Sequence, residues 1–307
     1  MNIIDKRYWY FGLSLLLIIP GMIALSVWGL PLAIDFTGGS KLEVQLPAAR
    51  DLTTSKVDVV LDKFGFSDNI VQLSDDDVVI IRTKDMGDST RSAVMVRLGE
   101  VFGTEAVLLD FASVGPVVGR EIASRAVLAV GVAALGILGY ITYAFRGVQH
   151  AFRYGMGAIF ALLHDVAIVL SFATIMGRFF GWEVDALFLT AVLTVIGFSV
   201  HDSIVVFDRI RENLGRYRRA PYEDVVNHSV VQTLDRSINT QLTAVFTLFA
   251  LALFGGTTIR IFVITMLVGM ISGTYSSIFT AAPILVLWEK REWRTWFRRS
   301  TPPATAQ

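Results

Sequence analysis

Two aspartates lie inside apolar stretches of the sequence, where an ionisable side chain is costly and therefore points to chemistry. Asp165 lies at the centre of Tyr154–Met176, and Asp202 lies in the second half of Ala186–Phe207. An aspartate near the centre of a membrane-spanning helix costs on the order of 3 kcal/mol to insert, so such residues mark ion or proton pathways. A carboxyl group in a poorly hydrated interior binds or releases a proton when its surroundings change. The positions therefore predict proton-linked chemistry at Asp202 and, as a second candidate, at Asp165.

Polar side chains continue from Asp202 along one face of its predicted helix and along one face of the fifth apolar stretch. The first set is Thr190, Thr194, Gly197 and His201, beside Ser199, Asp202 and Ser203; the second is Arg236, Thr240, Thr243 and Thr247. Neither stripe can face lipid cheaply, so we expect them to face each other inside a helix bundle. Arg236 is the predicted cationic partner of Asp202, with Thr243 in the same stripe. The alternative is a static ion pair that only fixes helix register.

Each of the two aspartates follows a histidine in the sequence. His164 precedes Asp165, and His201 precedes Asp202. We interpret both histidines as hydrogen-bonded helix-packing residues, because no third side chain has the spacing of a metal ligand. For Asp165 the structural alternative is a carboxylate bonded to neighbouring hydroxyl groups or to His164. The chain has no cysteine, which excludes disulfides and thiolate metal sites. No cofactor is predicted; protons are the expected coupling ion.

Six apolar stretches must position these residues. Hydrophobic residues make up 53% of the 307-residue chain, more than an ordinary soluble domain carries. About 20 apolar residues suffice for a helix to cross a hydrocarbon layer ~30 Å thick. The sequence predicts an α-helical polytopic membrane protein with transmembrane helices at about residues 8–30, 124–145, 154–177, 185–208, 236–256 and 261–288. The first stretch is read as a retained anchor, with a cleaved signal peptide as the alternative.

The distribution of basic residues orients the predicted helices. The fifth stretch is weak, because its apolar core, Ala244–Phe254, is too short to span alone. If it crosses, the basic cytoplasmic loop 209–235 and the tail 291–307 lie on one side, and the two short outside loops carry only Arg178 and Arg260. The positive-inside rule then places both termini in the cytoplasm.

Residues 31–122 form a separate soluble domain in this interpretation, on the periplasmic side. Its pattern is strand, helix, strand, strand, helix, strand, with the helices at Ser55–Phe64 and from a capping Asp88 onward. The strands are predicted at Lys41–Leu46, Ile70–Leu73, Val78–Thr83 and Ala106–Phe111. A βαββαβ order predicts a ferredoxin-like α+β fold. The apolar positions expected on one face of the second helix are Val94, Leu98, Val101 and Phe102.

Three sequence blocks resemble the SecF family, membrane subunits of the bacterial Sec protein-export machinery and relatives of the resistance-nodulation-division transporters. The blocks are Ile34-Asp-Phe-Thr-Gly-Gly39, the long run 195–213 and Gln232-Thr-Leu-Asp-Arg-Ser237. The resemblance implies six spans, a small periplasmic domain and a location in the bacterial cytoplasmic (inner) membrane. It also implies pairing with SecD, association with the SecYEG channel, SecA and YidC as further partners, and unfolded preprotein as substrate. Membrane lipid surrounds such a protein, and no nucleic acid is expected.

The resemblance also assigns roles to individual residues. It implies that Asp202 is the proton-linked carboxylate of the fourth span and that Arg236 is the essential arginine of the fifth. One position departs from the family pattern: His201 stands where asparagine usually precedes the aspartate. An imidazole there serves as a second proton stop or only replaces one hydrogen bond. The chain lacks the larger periplasmic region of SecD, so SecD is expected on another polypeptide.

Three functions compete at this point. The first is a proton-driven auxiliary subunit that helps to complete the export of unfolded proteins. The second is a proton-driven small-molecule or lipid exporter of the same superfamily, and the third is a non-catalytic assembly factor of a translocation complex. An enzyme is not predicted, because the sequence contains no Walker motif and no nucleophile constellation. Neutral replacements at Asp202 and Arg236 separate the first function from the third.

Overall fold

The computed structural model describes residues 2–290 except 48, 50, 75 and 76; of residues 257 and 258 it describes only the backbone. The predicted tail 291–307 therefore lies outside the described residues, as does the middle of Ser74-Asp75-Asp76-Asp77, for which the sequence predicts a hairpin turn. The described chain divides into two compact units. One contains most of the apolar helices; the other comprises Leu32–Leu128 together with the short segment Glu183–Ala186.

Within the described residues, six helices are long and apolar enough to cross a membrane, as the sequence predicts. Five of them are α1 (Arg7–Trp28), α5 (Pro116–Ala144), α6 (Ala151–Phe180), α7 (Ala186–Arg216) and α8 (Tyr222–Phe254). The sixth is a continuous run of α9 (Thr257–Ser276), one π turn (Ser277–Ala281) and α10 (Ala282–Lys290). In α6, α7 and the sixth helix, roughly half of the most apolar stretch is buried inside the structure. In α1, α5 and α8 the buried share of that stretch is 11% or less. Helices α6 and α7 and the sixth helix therefore form the core of this unit.

The predicted cytoplasmic loop 209–235 is mostly helical in the structure. Helix α7 continues to Arg216 and α8 already begins at Tyr222, so only five residues lie between them. The reason is packing, because apolar residues continue at helical spacing beyond the predicted ends of the spans. Ile210 of α7 and Val226 and Val230 of α8 are fully buried in one hydrophobic cluster. Helix α8 is thus a long helix whose first part is polar and whose second part is apolar.

The other unit contains a four-stranded antiparallel sheet and two helices on one of its faces. Its elements are β1 (Gly39–Gln45), α3 (Thr54–Lys63), β2 (Ile70–Ser74), β3 (Val78–Thr83), α4 (Asp88–Phe102) and β4 (Val107–Val114). The strand order is β2-β3-β1-β4. The helices pack on the buried positions of the strands, which alternate as the pleat requires. The core residues include Leu42, Val44, Val57, Leu61, Val79, Ile81, Val94 and Leu98.

Two details of α4 differ from the prediction. The N-cap residue is Gly87, which has no side chain to offer, and Asp88 is the first residue of the helix. Val101 is 41% exposed, whereas Val94, Leu98 and Phe102 are buried. The period of 3.6 residues places Val101 at the edge of the buried stripe.

The Gly38-Gly39 pair at the start of β1 lies where no other residue fits. Both glycines have positive φ, 75° at Gly38 and 122° at Gly39. A Cβ atom on Gly38 would lie 2.6 Å from the Cα of Pro116, and one on Gly39 would lie 2.4 Å from the carbonyl oxygen of Thr83. The left-handed backbone and these close approaches together require glycine. The pair therefore permits the chain to turn directly from the short helix α2 (Ile34–Thr37) into the sheet.

Candidate functional site

Asp202 is buried on the face of α7 that the other small polar residues share. Its side chain accepts a 2.6 Å hydrogen bond at Oδ2 from Nε2 of Gln241 on α8, and the residue is 3% exposed. Ser199 and Ser203, three residues before and one after, are buried on the same face. Ser203 lies 2.9 Å from the hydroxyl of Ser277 in the π turn. Helical spacing thus turns Asp202 into the bundle, as the sequence predicts.

A groove between α7 and α8 lies beside Asp202. Its volume is about 470 Å³, and it is lined by Thr194, Gly197, Phe198, His201, Asp202, Thr240 and Gln241. We call this set the α7–α8 groove. It brings parts of both predicted polar stripes together, and His201 is exposed at its edge. Asp202 therefore lies among the lining residues of the groove, with the side-chain amide of Gln241 as a hydrogen-bond donor to its carboxylate.

Arg236 is not the partner of Asp202 in this structure. It is exposed, and in the described part of the chain it makes no ion pair with Asp202 and does not line the groove. Gln241, and not Arg236, contacts Asp202. It lies five residues after Arg236 on α8, which is about 7.5 Å along the helix axis and on a different side of the helix. The sequence signal for Gln241 was available: it is an amide within an apolar span, where polar side chains seek partners.

Thr243 is likewise not brought to Asp202. Its hydroxyl donates a 2.7 Å hydrogen bond to the carbonyl oxygen of Thr240, one turn earlier on the same helix. Thr247 repeats the arrangement with the carbonyl oxygen of Thr243 at 2.9 Å. Both threonines are exposed on the surface of α8. The predicted stripe of threonines therefore satisfies its own hydroxyl groups along the helix.

Asp165 is the centre of a separate and fully buried network. The carboxylate accepts hydrogen bonds from Ser199 of α7 at 2.5 Å, and from Ser272 and Ser276 of α9, each at 2.7 Å. Nδ1 of His164 lies 3.0 Å from its Oδ1. None of the residue is exposed. These are the contacts of the structural alternative for Asp165, and four polar partners offset the cost of burying the group.

His164 extends this network to the first helix. Its Nε2 lies 3.0 Å from the hydroxyl of Ser14 on α1, and Tyr275 donates a 2.7 Å hydrogen bond to the carbonyl oxygen of Tyr10. In the part of the chain that the structure describes, no three His, Asp or Glu side chains come together as a metal-binding group. Asp165 and His164 therefore join α1, α6, α7 and α9 through hydroxyl groups.

Small residues of α9 permit this approach to α7. A Cβ atom on Gly269 would lie 2.3 Å from Val195, and one on Gly273 would lie 3.1 Å from the Cβ of Ser199. The stripe of small residues thus packs directly against α7, as close helix packing requires. Ser272 and Ser276 lie on the same helix as these glycines and donate to Asp165 of α6, so α9 contacts α7 through its glycines and α6 through its serines.

Comparison with known proteins agrees with the geometry. Residues 95–291 match the family model described as protein export membrane protein SecD/SecF, C-terminal. The chain belongs to the SecD/SecF family. Protein translocase subunit SecF of Anaerolinea thermophila is 52% identical over 307 residues and is covered completely, as is this chain. SecF of Thermobaculum terrenum is 47% identical, with 100% of this chain and 99% of the relative covered. The resemblance to SecF is therefore confirmed over the whole length.

Longer members of the SecD/SecF family contain a region that matches this chain. Protein translocase subunit SecDF of Bacillus subtilis is 35% identical over 94% of this chain, which covers 38% of that protein. The crystal structure of SecDF from Thermus thermophilus, described as a translocon-associated membrane protein, superposes with a TM-score of 0.81 at 32% identity. The match covers 95% of this chain and 39% of that one. The six apolar helices and the superposition together indicate that this chain is a multi-pass membrane protein with the fold of the matching part of SecDF.

Proposed function

We propose that this chain is a SecF-like auxiliary subunit of the Sec translocase, which couples proton flow to late-stage export of unfolded proteins together with SecD. The observation that carries the proposal is Asp202, a buried carboxylate at the edge of the α7–α8 groove, whose bonding partner within the described residues is the neutral amide of Gln241. The names of its relatives support the translocation part of the proposal.

The surroundings of Asp202 support the proposed proton-coupling step. An ionised carboxylate in a poorly hydrated groove favours a structure that brings a cation or water to it, and a protonated one does not. Arg236 lies on the neighbouring helix and is exposed, so it is the cation that a rearrangement of α8 would bring closer. Each proton that crosses the membrane releases about 2.3 kcal/mol per 100 mV of potential, which biases such a cycle. His201 at the groove edge is a second proton-accepting group in this scheme.

SecD is the partner that fits the groove. Its lining exposes polar groups of Thr194, His201 and Thr240, which cannot face lipid cheaply. Helices α5 and α8 bury little of their apolar surface within this chain, which leaves area for a second helix bundle. In SecDF proteins the matching region is part of a longer chain, so a separate SecD would supply the remainder. SecYEG, SecA and YidC are proposed as the wider assembly, with unfolded preprotein as substrate.

The soluble unit is proposed to be a ferredoxin-like domain on the periplasmic side of the inner membrane. The βαββαβ order and the antiparallel β2-β3-β1-β4 sheet support the fold. The positive-inside rule supports the orientation, with both termini in the cytoplasm. No cofactor is proposed beyond the proton, and the chain acts as a transport subunit and not as an enzyme.

The test is Asp202→Asn in membrane vesicles that contain SecD and the Sec channel. The variant is expected to assemble with SecD and to lose the stimulation of export by an imposed proton gradient, while ATP-driven export continues. The matched control is Asp224→Asn, which neutralises an exposed acid on α8 and leaves the stimulation unchanged. Normal stimulation in Asp202→Asn contradicts the proposal. Export of a small amphiphile without the Sec channel supports the exporter instead.

A further inference from the structure

The connection between α6 and α7 is built into the soluble unit. Val184 forms a parallel β-bridge with Leu32, and its carbonyl oxygen accepts a 2.8 Å hydrogen bond from the backbone N–H of Ala33. Val184 is 4% exposed and Ala33 is 7% exposed. From the sequence this connection is predicted to be a short outside loop. The backbone contacts place it alongside the chain that leads into the sheet.

An ion pair attaches the same segment to the middle of the sheet. Nε of Arg82 on β3 lies 2.6 Å from Oε1 of Glu183, and the two side chains are only 13% and 19% exposed. Val79 and Ile81 of β3 point into the core, so Arg82 lies on the opposite face of the sheet. Lys41 and Glu43 of β1 form a second ion pair of 2.6 Å on this face. Glu183 therefore enters a patch of paired charges.

Because the ion pair between Arg82 and Glu183 is largely buried, we expect it to contribute more to positioning the two segments than to stability. Burial raises the pKa of Glu183 even though Arg82 and Lys41 lower it, and burial lowers the pKa of Arg82 even though Glu183 and Glu43 raise it. For both partners the cost of removing a charge from water thus exceeds the gain from pairing. In some proteins a buried pair of this kind determines which groups meet, and we infer that role for Arg82 and Glu183. Removal of one partner leaves the other charge largely buried and without its ion-pair partner.

A third contact fixes the start of α7 itself. Oδ2 of Asp35 accepts a 2.9 Å hydrogen bond from the backbone N–H of Ala186, the first residue of α7. The first N–H groups of a helix have no partner within the helix, and a carboxylate there also interacts favourably with the helix dipole. Asp35 belongs to the Ile34–Gly39 block, held in place by the Gly38–Gly39 turn. The block therefore contacts the helix that carries Asp202.

We propose that Asp35, Arg82 and Glu183 are positioning residues that attach the beginning of α7 to the soluble domain. We call the three residues the α7 anchor. Asp202 lies 16 residues after Ala186 on the same continuous helix, about 24 Å along its axis. When a change at Asp202 moves α7, the anchor carries the movement into the sheet. The inference rests on the proposed function, because it assigns the path by which proton coupling reaches the soluble domain.

The first experiment breaks the anchor in the full chain, in the same vesicles with SecD and the Sec channel. Glu183→Gln and Asp35→Asn are each expected to reduce proton-gradient stimulation of export to less than half, with SecD binding and ATP-driven export retained. The matched control is Asp68→Asn. It breaks the 2.7 Å ion pair of Asp68 with Lys84, whose side chains are 76% and 75% exposed, and should leave the stimulation unchanged. Full stimulation in both anchor variants overturns the inference.

A disulfide tests attachment directly. The chain has no cysteine of its own, and paired strands lie about 4.8 Å apart, within the Cα separation that a disulfide bridges. Leu32→Cys with Val184→Cys, added to Glu183→Gln, is expected to restore at least half of the lost stimulation when oxidised and none when reduced. The same cysteine pair alone should support normal stimulation in both redox states. If the anchor acts by attachment, reattaching the segment with a cross-link should restore stimulation. A cross-link that forms without restoring any stimulation therefore overturns the inference.

Asp202→Asn, measured in parallel, separates failure of the inference from failure of the proposed function. If Asp202→Asn retains the stimulation, the proposed function is wrong and the anchor has no movement to carry. If Asp202→Asn loses the stimulation while Glu183→Gln and Asp35→Asn keep it, only the anchor is wrong. Loss in all three, with rescue by the oxidised cysteine pair in Glu183→Gln, supports both.

Discussion

The side-chain amide of Gln241 donates a 2.6 Å hydrogen bond to the carboxylate of Asp202 and thereby joins α8 to α7. An amide is a neutral partner, so it orients the carboxylate without cancelling its charge. The carboxylate consequently stays responsive to any charge or water that enters the α7–α8 groove. In the proposed cycle, the pairing of Asp202 with Gln241, and not an ion pair with Arg236, is the starting state.

Replacement of Gln241 by leucine removes the donor and keeps the apolar volume of the side chain. We expect Gln241→Leu to lower proton-gradient stimulation of export several-fold. Hydrogen bonds to charged groups contribute about 1.5–3 kcal/mol, so the thermal unfolding midpoint in detergent should also fall. Thr243→Val is the matched control, since the Thr243 hydroxyl bonds only to its own helix. An equal loss in Thr243→Val would contradict the prediction, because the effect would then not be specific to the hydrogen bond from Gln241 to Asp202.

Neutralisation of Asp165 should act on folding before it acts on transport. Both carboxylate oxygens of Asp165 take part in its four polar contacts. In Asp165→Asn one of the two oxygens becomes a donating NH2 group, so at least one serine hydroxyl loses the acceptor of its hydrogen bond. An unsatisfied buried group costs about 1–3 kcal/mol, and we expect a lower unfolding midpoint and less assembled protein. Ser272→Ala removes one donor and should have a smaller effect in the same direction. An Asp165→Asn protein of unchanged stability that does not respond to a proton gradient would assign a proton-coupling role to Asp165 instead.

The Gly-Gly turn before β1 gives a prediction with an internal control. In Gly38→Ala the new Cβ atom meets the Cα of Pro116 at 2.6 Å, in addition to the strain of positive φ. In Gly103→Ala the φ of 66° is similar, but no atom lies within 4 Å of the new Cβ. Positive φ alone costs about 1–3 kcal/mol for such residues. Hydrogen exchange of β1 in the full chain should therefore rise more in Gly38→Ala than in Gly103→Ala. Equal exchange would mean that the contact with Pro116 is not limiting.

Much of this architecture follows from local sequence patterns. The length of an apolar run sets whether a helix spans a membrane, and a period of 3.6 or 2 sets which side chains face inward. For that reason the six long helices, the order of strands and helices in the soluble unit and the buried position of Asp202 were all predictable. The limits of α8 were not, because packing of Val226 and Val230 extends the helix into a segment that reads as a polar loop.

The partners of the buried groups were decided by the tertiary structure. Helical periodicity places Asp202 and Gln241 on inward faces, but only the packing of α7 against α8 determines that Gln241, and not Arg236, is level with the carboxylate. Asp165 takes its serine donors from two other helices, 34 to 111 residues away in sequence. Glu183 meets Arg82 across about a hundred residues of chain. A sequence pattern reports the face on which a side chain lies, whereas its partner depends on distances between elements that only the folded chain sets.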